Sequence, residues 1–328
     1  MKFERLLKTN HALNTILYAN KRDASAYIFV CQDEMLLDEA VTLFLASRIE
    51  KAYGHEKAIE RIERGGFADI KYYPKSEDGK VKVDDVKDLL SDVYYTPIEL
   101  EKKFYVINNA NMANEASQNK LLKTLEDTPN SSCIILKCTN LVNILPTIKS
   151  RCVKVEISAF AIEEVEKELE TLVQKNYPKD DRFYFALGVS EGYVGEALKA
   201  LEDDLSYNLF SLVRETFLYM KTSKELLHYS ALWLNFKQNL NKLLSYTQLF
   251  LSDLVLYGEK NGSKIKMKSC VKDYAQLANN GYTSFVAINV LPKVFEAKDK
   301  LNFNANPTAV VDWLLYSILE VKNKCQKL

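Results

Sequence analysis

Arg151, in the turn Thr147-Ile-Lys-Ser-Arg-Cys152, is the residue of this chain best suited to act on a phosphate. A guanidinium stays charged, is planar and bonds bidentately to phosphate oxygens. Standing alone between Ser150 and Cys152, such an arginine is ordinarily a surface charge. A second polar position, Asn108-Asn109, ends the strand-like run Phe104-Tyr-Val-Ile107. Asparagine accepts a hydrogen bond but brings no negative charge, so it is a poor magnesium ligand and no general base. Thr139-Asn140 closes another apolar run, Cys133-Ile-Ile-Leu136. His11, His55 and His228 are far apart and lack a metal-ligand spacing. The six cysteines, Cys31, Cys133, Cys138, Cys152, Cys270 and Cys325, form no C-x-x-C pair; several lie in apolar runs where a thiol packs as a small hydrophobe, so they read as reduced and mostly buried.

These positions need strands and helices to hold them. Tyr27-Ile-Phe-Val-Cys31 reads as a buried parallel strand, and Leu36 to Tyr53 as a helix through Leu36, Leu37, Ala40, Val41, Phe44, Leu45 and Ile49. The polar loop Lys75–Lys80 precedes a helix over Asp84–Tyr94 with acidic residues at its start. Asn114–Glu126 places Leu121, Leu122 and Leu125 on one helical face, and Pro129 closes it. Val153 and Val155 alternate as in a strand. Strands alternating with helices imply a parallel sheet covered on both faces, with ligand sites beyond the carboxyl ends of the strands.

After Ser158 the strand signals fade. Ala161–Lys175 and Asp181–Leu205 read as a small helical domain interrupted at Tyr177-Pro178 and Gly192. The remainder is nearly all helical, with runs over Leu209–Lys221, Leu226–Tyr257, Pro292–Leu301 and Pro307–Lys324, and with turns at Asn261-Gly-Ser263 and Asn279-Asn-Gly281. The expected division is 1–158, an α/β domain; 159–205, a small helical domain; and 206–328, an all-α domain. Trp233, Phe236, Tyr246, Phe250, Tyr257, Trp313 and Tyr316 are read as core or inter-subunit packing.

The order of these pieces, above all Asn119-Lys-Leu-Leu-Lys-Thr-Leu-Glu-Asp-Thr-Pro129 followed by Ile148-Lys-Ser-Arg-Cys152, resembles the clamp-loader branch of the AAA+ ATPases, and within it the delta-prime subunits of bacterial DNA polymerase III. The likeness is dense from Tyr27 to Ile157, looser to Leu205, and returns in Leu301-Asn-Phe-Asn-Ala-Asn-Pro307. It implies an AAA+ P-loop-type core, a helical lid and a C-terminal collar.

It also implies that the nucleotide site is degenerate. Aligned to the family pattern, the first Walker A glycine falls at Cys31, the last at Leu36, the lysine at Leu37 and the magnesium-binding hydroxyl at Asp38, and all four are lost. Asn108-Asn109 replaces the acidic Walker B pair. Thr139 takes the sensor 1 position, and Gly195, in Gly192-Tyr-Val-Gly-Glu-Ala-Leu198, stands where active relatives carry the sensor 2 arginine; the glycine pair equally suits a simple helix start.

Arg151, flanked by Ser150 and Cys152, falls at the family's arginine finger, which projects into a neighbour's ATP site. No cofactor or metal is expected, since Glu50–Asp69 lacks the four-cysteine zinc module of many relatives. The implied partners are the ATPase gamma or tau subunits and the delta subunit, with primer-template DNA and the sliding clamp engaged through the complex.

Bulk properties limit the competing readings. At 328 residues the chain exceeds a single hydrophobic core, and its 47% hydrophobic content suffices for several. Equal numbers of acidic and basic residues, 44 each, leave no basic excess to drive autonomous DNA binding, which argues against an AAA+-fold DNA repair factor. Leu37 argues against a divergent ATP-hydrolysing subunit. No apolar stretch approaches the ~18 residues of a membrane span, and the charged N-terminus is unlike a secretory signal, so a cytoplasmic protein is expected.

Overall fold

Uniformly apolar strands can be stable only when covered on both faces, and the central strands of this chain are of that kind. The computed structural model describes residues 1–18, 24–76, 79–173 and 178–325. Its elements begin with α1 (Glu4–Leu7), α2 (His11–Leu17), β1 (Ala26–Val30), α3 (Glu34–Tyr53), α4 (His55–Glu63), β2 (Ile70–Tyr73), α5 (Val83–Asp92) and β3 (Lys103–Ile107). Then come α6 (Glu115–Glu126), β4 (Ser132–Cys138), α7 (Pro146–Lys149), β5 (Val153–Glu156) and α8 (Ile162–Val173).

The strands form one parallel sheet in the order β2-β3-β4-β1-β5. In register, Ile28 of β1 lies between Leu136 of β4 and Lys154 of β5. Alternate residues of each strand serve opposite faces. Ile28, Tyr105, Ile134 and Leu136 pack with Val86 and Leu89 of α5 and Leu121 and Leu125 of α6, while Tyr27 and Phe29 meet Phe44 of α3 with ring centroids 4.7 and 5.5 Å apart. Helices thus cover both faces, as the alternating pattern requires. Each fully buried large side chain stabilises by roughly 1.5–3 kcal/mol.

The chain divides into two compact units: one comprises Met1–Leu172 with Gly192–Gly195, the other Val173–Glu191 with Glu196–Leu328. Among its described residues the second unit has only helices and turns. It contains α9 (Asp181–Val189), most of α10 (Val194–Glu202), α11 (Asp204–Tyr219), α12 (Ser223–Leu234), α13 (Leu240–Gly258), α14 (Val271–Asn279), α15 (Ser284–Asn302) and α16 (Pro307–Cys325). Its core gathers Trp233, Tyr246 and Phe250 with Leu243, Val290 and Leu314. Trp233 is fully buried and donates its Nε1–H to Thr216 Oγ1 at 3.0 Å. Phe236, Tyr257 and Trp313 pack at the edge of this core, whereas Tyr316 is exposed.

Several local expectations need correction. The run Leu226–Tyr257 is two helices, α12 and α13, separated at Asn235-Phe236 and a 3-10 turn. Helix α15 starts at Ser284, not Pro292, because Thr283 caps it by accepting the Val286 N–H. Pro292 is exposed inside that helix. Helix α4 and strand β2 lie in stretches to which the sequence pattern assigned no element. Helix α8 starts at Ile162, but the expected end at Lys175, the break at Tyr177 and two residues of the Lys75–Lys80 loop fall outside the described residues. The described cysteines are free, four buried and two partly so. Among the described residues no helix is long and apolar enough to cross a membrane.

Candidate functional site

The carboxyl ends of β1, β3 and β4 point to one corner, where Cys31, Asn108 and Thr139 follow their strands. Cys31 is buried and donates its N–H to the Cys138 carbonyl at 3.2 Å. Asp33, fully buried, is the N-cap of α3: its Oδ1 accepts from the N–H groups of Met35 and Leu36 at 3.0 and 3.2 Å. These are the first-turn donors that a helix leaves without intrahelical partners and that can hold an anion. The other carboxylate oxygen of Asp33 accepts from the Gly195 N–H at 2.7 Å. Leu36 and Leu37 are buried, while Asp38 is exposed and pairs with Lys137 of β4.

Glu34, Leu37, Asp38, Asn108, Asn109, Lys137 and Thr139 line a cavity of about 240 Å³, below the ~300–1,000 Å³ usual for small-molecule sites. Its charged lining is two carboxylates and one ammonium, and that ammonium is engaged with Asp38. An entering polyanion meets net repulsion and loses water without a free countercharge.

Asn109 adopts a left-handed φ of 50° and donates through Nδ2 to the Gly79 carbonyl at 3.5 Å. The Asn108 Oδ1 is buried and has no hydrogen-bond partner. Thr139 is held by the buried Asn111, whose Nδ2 donates to Thr139 Oγ1 at 3.2 Å and whose Oδ1 accepts the Thr139 N–H at 3.3 Å. Burial pushes the Cys138 thiol up to about 12 despite the opposing Asn111 backbone, which leaves it a packing group, not a nucleophile.

The arginine turn is built differently. The buried side chain of Gln118 on α6 donates to the carbonyls of Ala113 and Asn143 at 2.9 and 2.8 Å and accepts the Leu145 N–H at 2.9 Å. It thereby fixes the loop that leads into α7, the short helix ending just before Ser150. Ser150 turns its hydroxyl back to the Thr147 carbonyl at 3.0 Å. Arg151 donates to the same carbonyl at 2.9 Å and pairs with Glu126 at the end of α6. Its side chain keeps a third of its surface open to solvent. Cys152 is partly buried, and desolvation raises its thiol to about 12.

Sequence reasoning thus named Cys31, Leu36, Leu37, Asp38, Asn108, Asn109, Thr139 and Arg151 but missed Asp33, Asn111, Gln118, Glu126 and Lys137. The Asp33 cap alone had a local signal, an aspartate just before an apolar helical run. Gly195 lies in the first turn of α10, with an N–H that needs an external acceptor. The histidines stay apart: His55 lies between Glu4 and Glu50 at 2.8 and 3.3 Å, and His11 meets Thr15 at 3.1 Å.

With that geometry in place, residues 8–161 match the family described as DNA polymerase III, delta subunit. The matched stretch is just under half of the 328 residues. The stretch includes both the β1–α3 corner and the arginine turn. Among curated proteins, the chain is 30% identical over 141 residues to the DNA polymerase III gamma subunit of Buchnera aphidicola subsp. Schizaphis graminum, covering 42% of this chain and 39% of that one.

It is 33% identical over 116 residues to the tau subunit of Escherichia coli K12, covering 35% of this chain and 18% of that one. The chain therefore spans less than half the length of these relatives. Among solved structures, a gamma-subunit-related protein of Thermotoga maritima aligns over 98% of this chain and all of that one, with 16% identity and a TM-score of 0.41. The clamp loader delta protein of Bacillus subtilis aligns over 94% and 98%, with 10% identity and a TM-score of 0.38.

Proposed function

We propose that this chain is a non-hydrolysing, delta-prime-like subunit of the DNA polymerase III clamp loader that supplies Arg151 to the ATP site of a neighbouring subunit. The observation that carries the reading is the contrast at its own corner: a cavity of about 240 Å³ whose one ammonium, on Lys137, is engaged with Asp38, and whose Walker lysine position is filled by the buried Leu37. A triphosphate with magnesium finds neither room nor countercharge there. Cys31, Leu36 and Asp38 at the remaining Walker A positions, Asn108 and Asn109 at Walker B, Thr139 at sensor 1 and Gly195 at sensor 2 belong to the same reading.

Arg151 is available for work elsewhere. Its pair with Glu126 is a partly exposed surface contact, of a class that contributes ~0–1 kcal/mol, so a phosphate on a neighbour can displace the carboxylate at small cost. In this arrangement residues 1–158 act as core, 159–205 as lid and 206–328 as collar. The gamma or tau subunits and delta are the partners, and primer-template DNA and the sliding clamp are engaged through the assembly in the cytoplasm.

The test is reconstitution with those subunits. Arg151→Ala should leave assembly intact and lower DNA-stimulated ATP hydrolysis. Unchanged turnover removes the finger assignment, and micromolar binding of a fluorescent ATP analogue by the isolated chain removes the non-hydrolysing one.

A further inference from the structure

We propose that the Asp33 carboxylate is a resident anion, occupying the place at the start of α3 where a bound phosphate would otherwise sit, and that it holds residues 192–195 closed against the β1–α3 corner without any ligand. Both residues of this contact belong to the first compact unit. Asp33 is fully buried, and its two oxygens divide their labour: Oδ1 takes the Met35 and Leu36 N–H groups, Oδ2 the Gly195 N–H at 2.7 Å. All three donors lie in first turns of helices, which carry partial positive charge and lack intrahelical acceptors. A carboxylate set between two such helix starts is stabilised by both, and hydrogen bonds to a charged acceptor are the stronger kind.

The fit leaves no latitude at Gly195. A Cβ there would stand 2.3 and 2.6 Å from the two Asp33 oxygens. Any side chain at 195, an arginine included, expels the carboxylate or the segment. Three residues earlier the segment is pinned again: Gly192 has φ of 90°, its carbonyl accepts the Phe160 N–H at 2.9 Å, and a Cβ would stand 2.6 Å from the Phe160 carbonyl oxygen. The two glycines of Gly192-Tyr-Val-Gly195 therefore answer to two separate close approaches. Because the anion is part of the chain, it competes with free phosphate at an effective concentration that no solute reaches. The inference stands apart from Arg151 and from assembly, and it is tested on the isolated full-length chain.

Amide hydrogen exchange followed by mass spectrometry reads the closure directly. Asp33→Ala and Gly195→Ala should each speed exchange in peptides covering 190–198 by about tenfold or more, with β3 and β4 peptides unchanged. The double variant should exchange no faster than the faster single one, because both substitutions break one contact. Asp33→Asn keeps an acceptor oxygen and the shape, so it should show a smaller increase of the same sign and serves if the alanine variant fails to fold. Millimolar inorganic phosphate should leave the wild-type pattern unchanged. Full protection of 190–198 in Asp33→Asn and Asp33→Ala, additive effects in the double variant, or added protection by phosphate would each overturn the proposal.

Discussion

The corner after β1 and the turn after α7 are both polar junctions beside strands, yet they use their polar groups in opposite ways. At the first, the helix-start N–H groups, the Asp33 carboxylate and the Lys137 ammonium are all engaged within the chain. At the second, Arg151 keeps a third of its side-chain surface in solvent and pairs with Glu126. The difference teaches that two polar junctions of one sheet can spend their groups differently: one satisfies its donors and charges within the chain, while the other keeps a charged group open to solvent.

The largest expected effect breaks the comparison on its open side. At a neighbour's site served by Arg151, Arg151→Ala should cost roughly 10³ or more in turnover, the range of arginine fingers in GTPases. Arg151→Lys should restore only part of it, because a lysine cannot bond bidentately. Single-turnover hydrolysis in the reconstituted assembly checks both.

On the closed side, Leu37→Lys returns the residue type a phosphate loop requires but sets a cation at a position only 3% exposed. Denaturant melts should show about 2–4 kcal/mol lost, with no ATP binding gained, because Asp33 and Gly195 still fill the helix start. Recovery of micromolar ATP affinity in this variant would mean that the corner is open.

A third prediction uses a carboxylate satisfied inside the same domain. Burial alone would raise Asp92, but hydrogen bonds from Lys71, Tyr105 and Lys103 outweigh it and hold its carboxyl at about 2, from 3.8. A depressed folded-state value stabilises the fold above the unfolded value, and the stabilisation is lost as pH falls. Stability should therefore be flat in this respect down to about pH 4 and decline from there toward pH 2. Asp92→Asn should remove on the order of 2 kcal/mol at neutral pH and flatten that part of the acid limb; an unchanged limb in urea melts across that range would remove the assignment. Smallest of all, Glu126→Gln should change stability by less than about 1 kcal/mol, while raising neighbour turnover slightly at low ionic strength because the guanidinium is released.

Periodicity exposed the central sheet well. Strands β1, β3 and β4 are wholly or almost wholly buried, so their apolar runs stand out, and α6 carries a clean leucine face. Elements with weak or mixed patterns escaped: β2, at a sheet edge, buries only its ends, Ile70 and Tyr73, around half-buried Lys71 and exposed Tyr72, and α4 follows α3 after Gly54 alone. Pro292 misled because a proline is usual at a helix start, while the capping signal sat nine residues earlier at Thr283.

In the site, the positions named from the sequence are those for which a family pattern offers a comparison. Long-range contacts were not legible. Asp33 meets Gly195 across 162 positions and Gln118 meets Asn143 across 25, and no local rule relates such pairs.

Helix α6 carries both Gln118 and Glu126. Through the first it grips the main chain on the way to Arg151; through the second it holds the guanidinium. The main chain leading to the arginine and the resting partner of its tip are thus carried on one rod, so a displacement of that rod shifts both together.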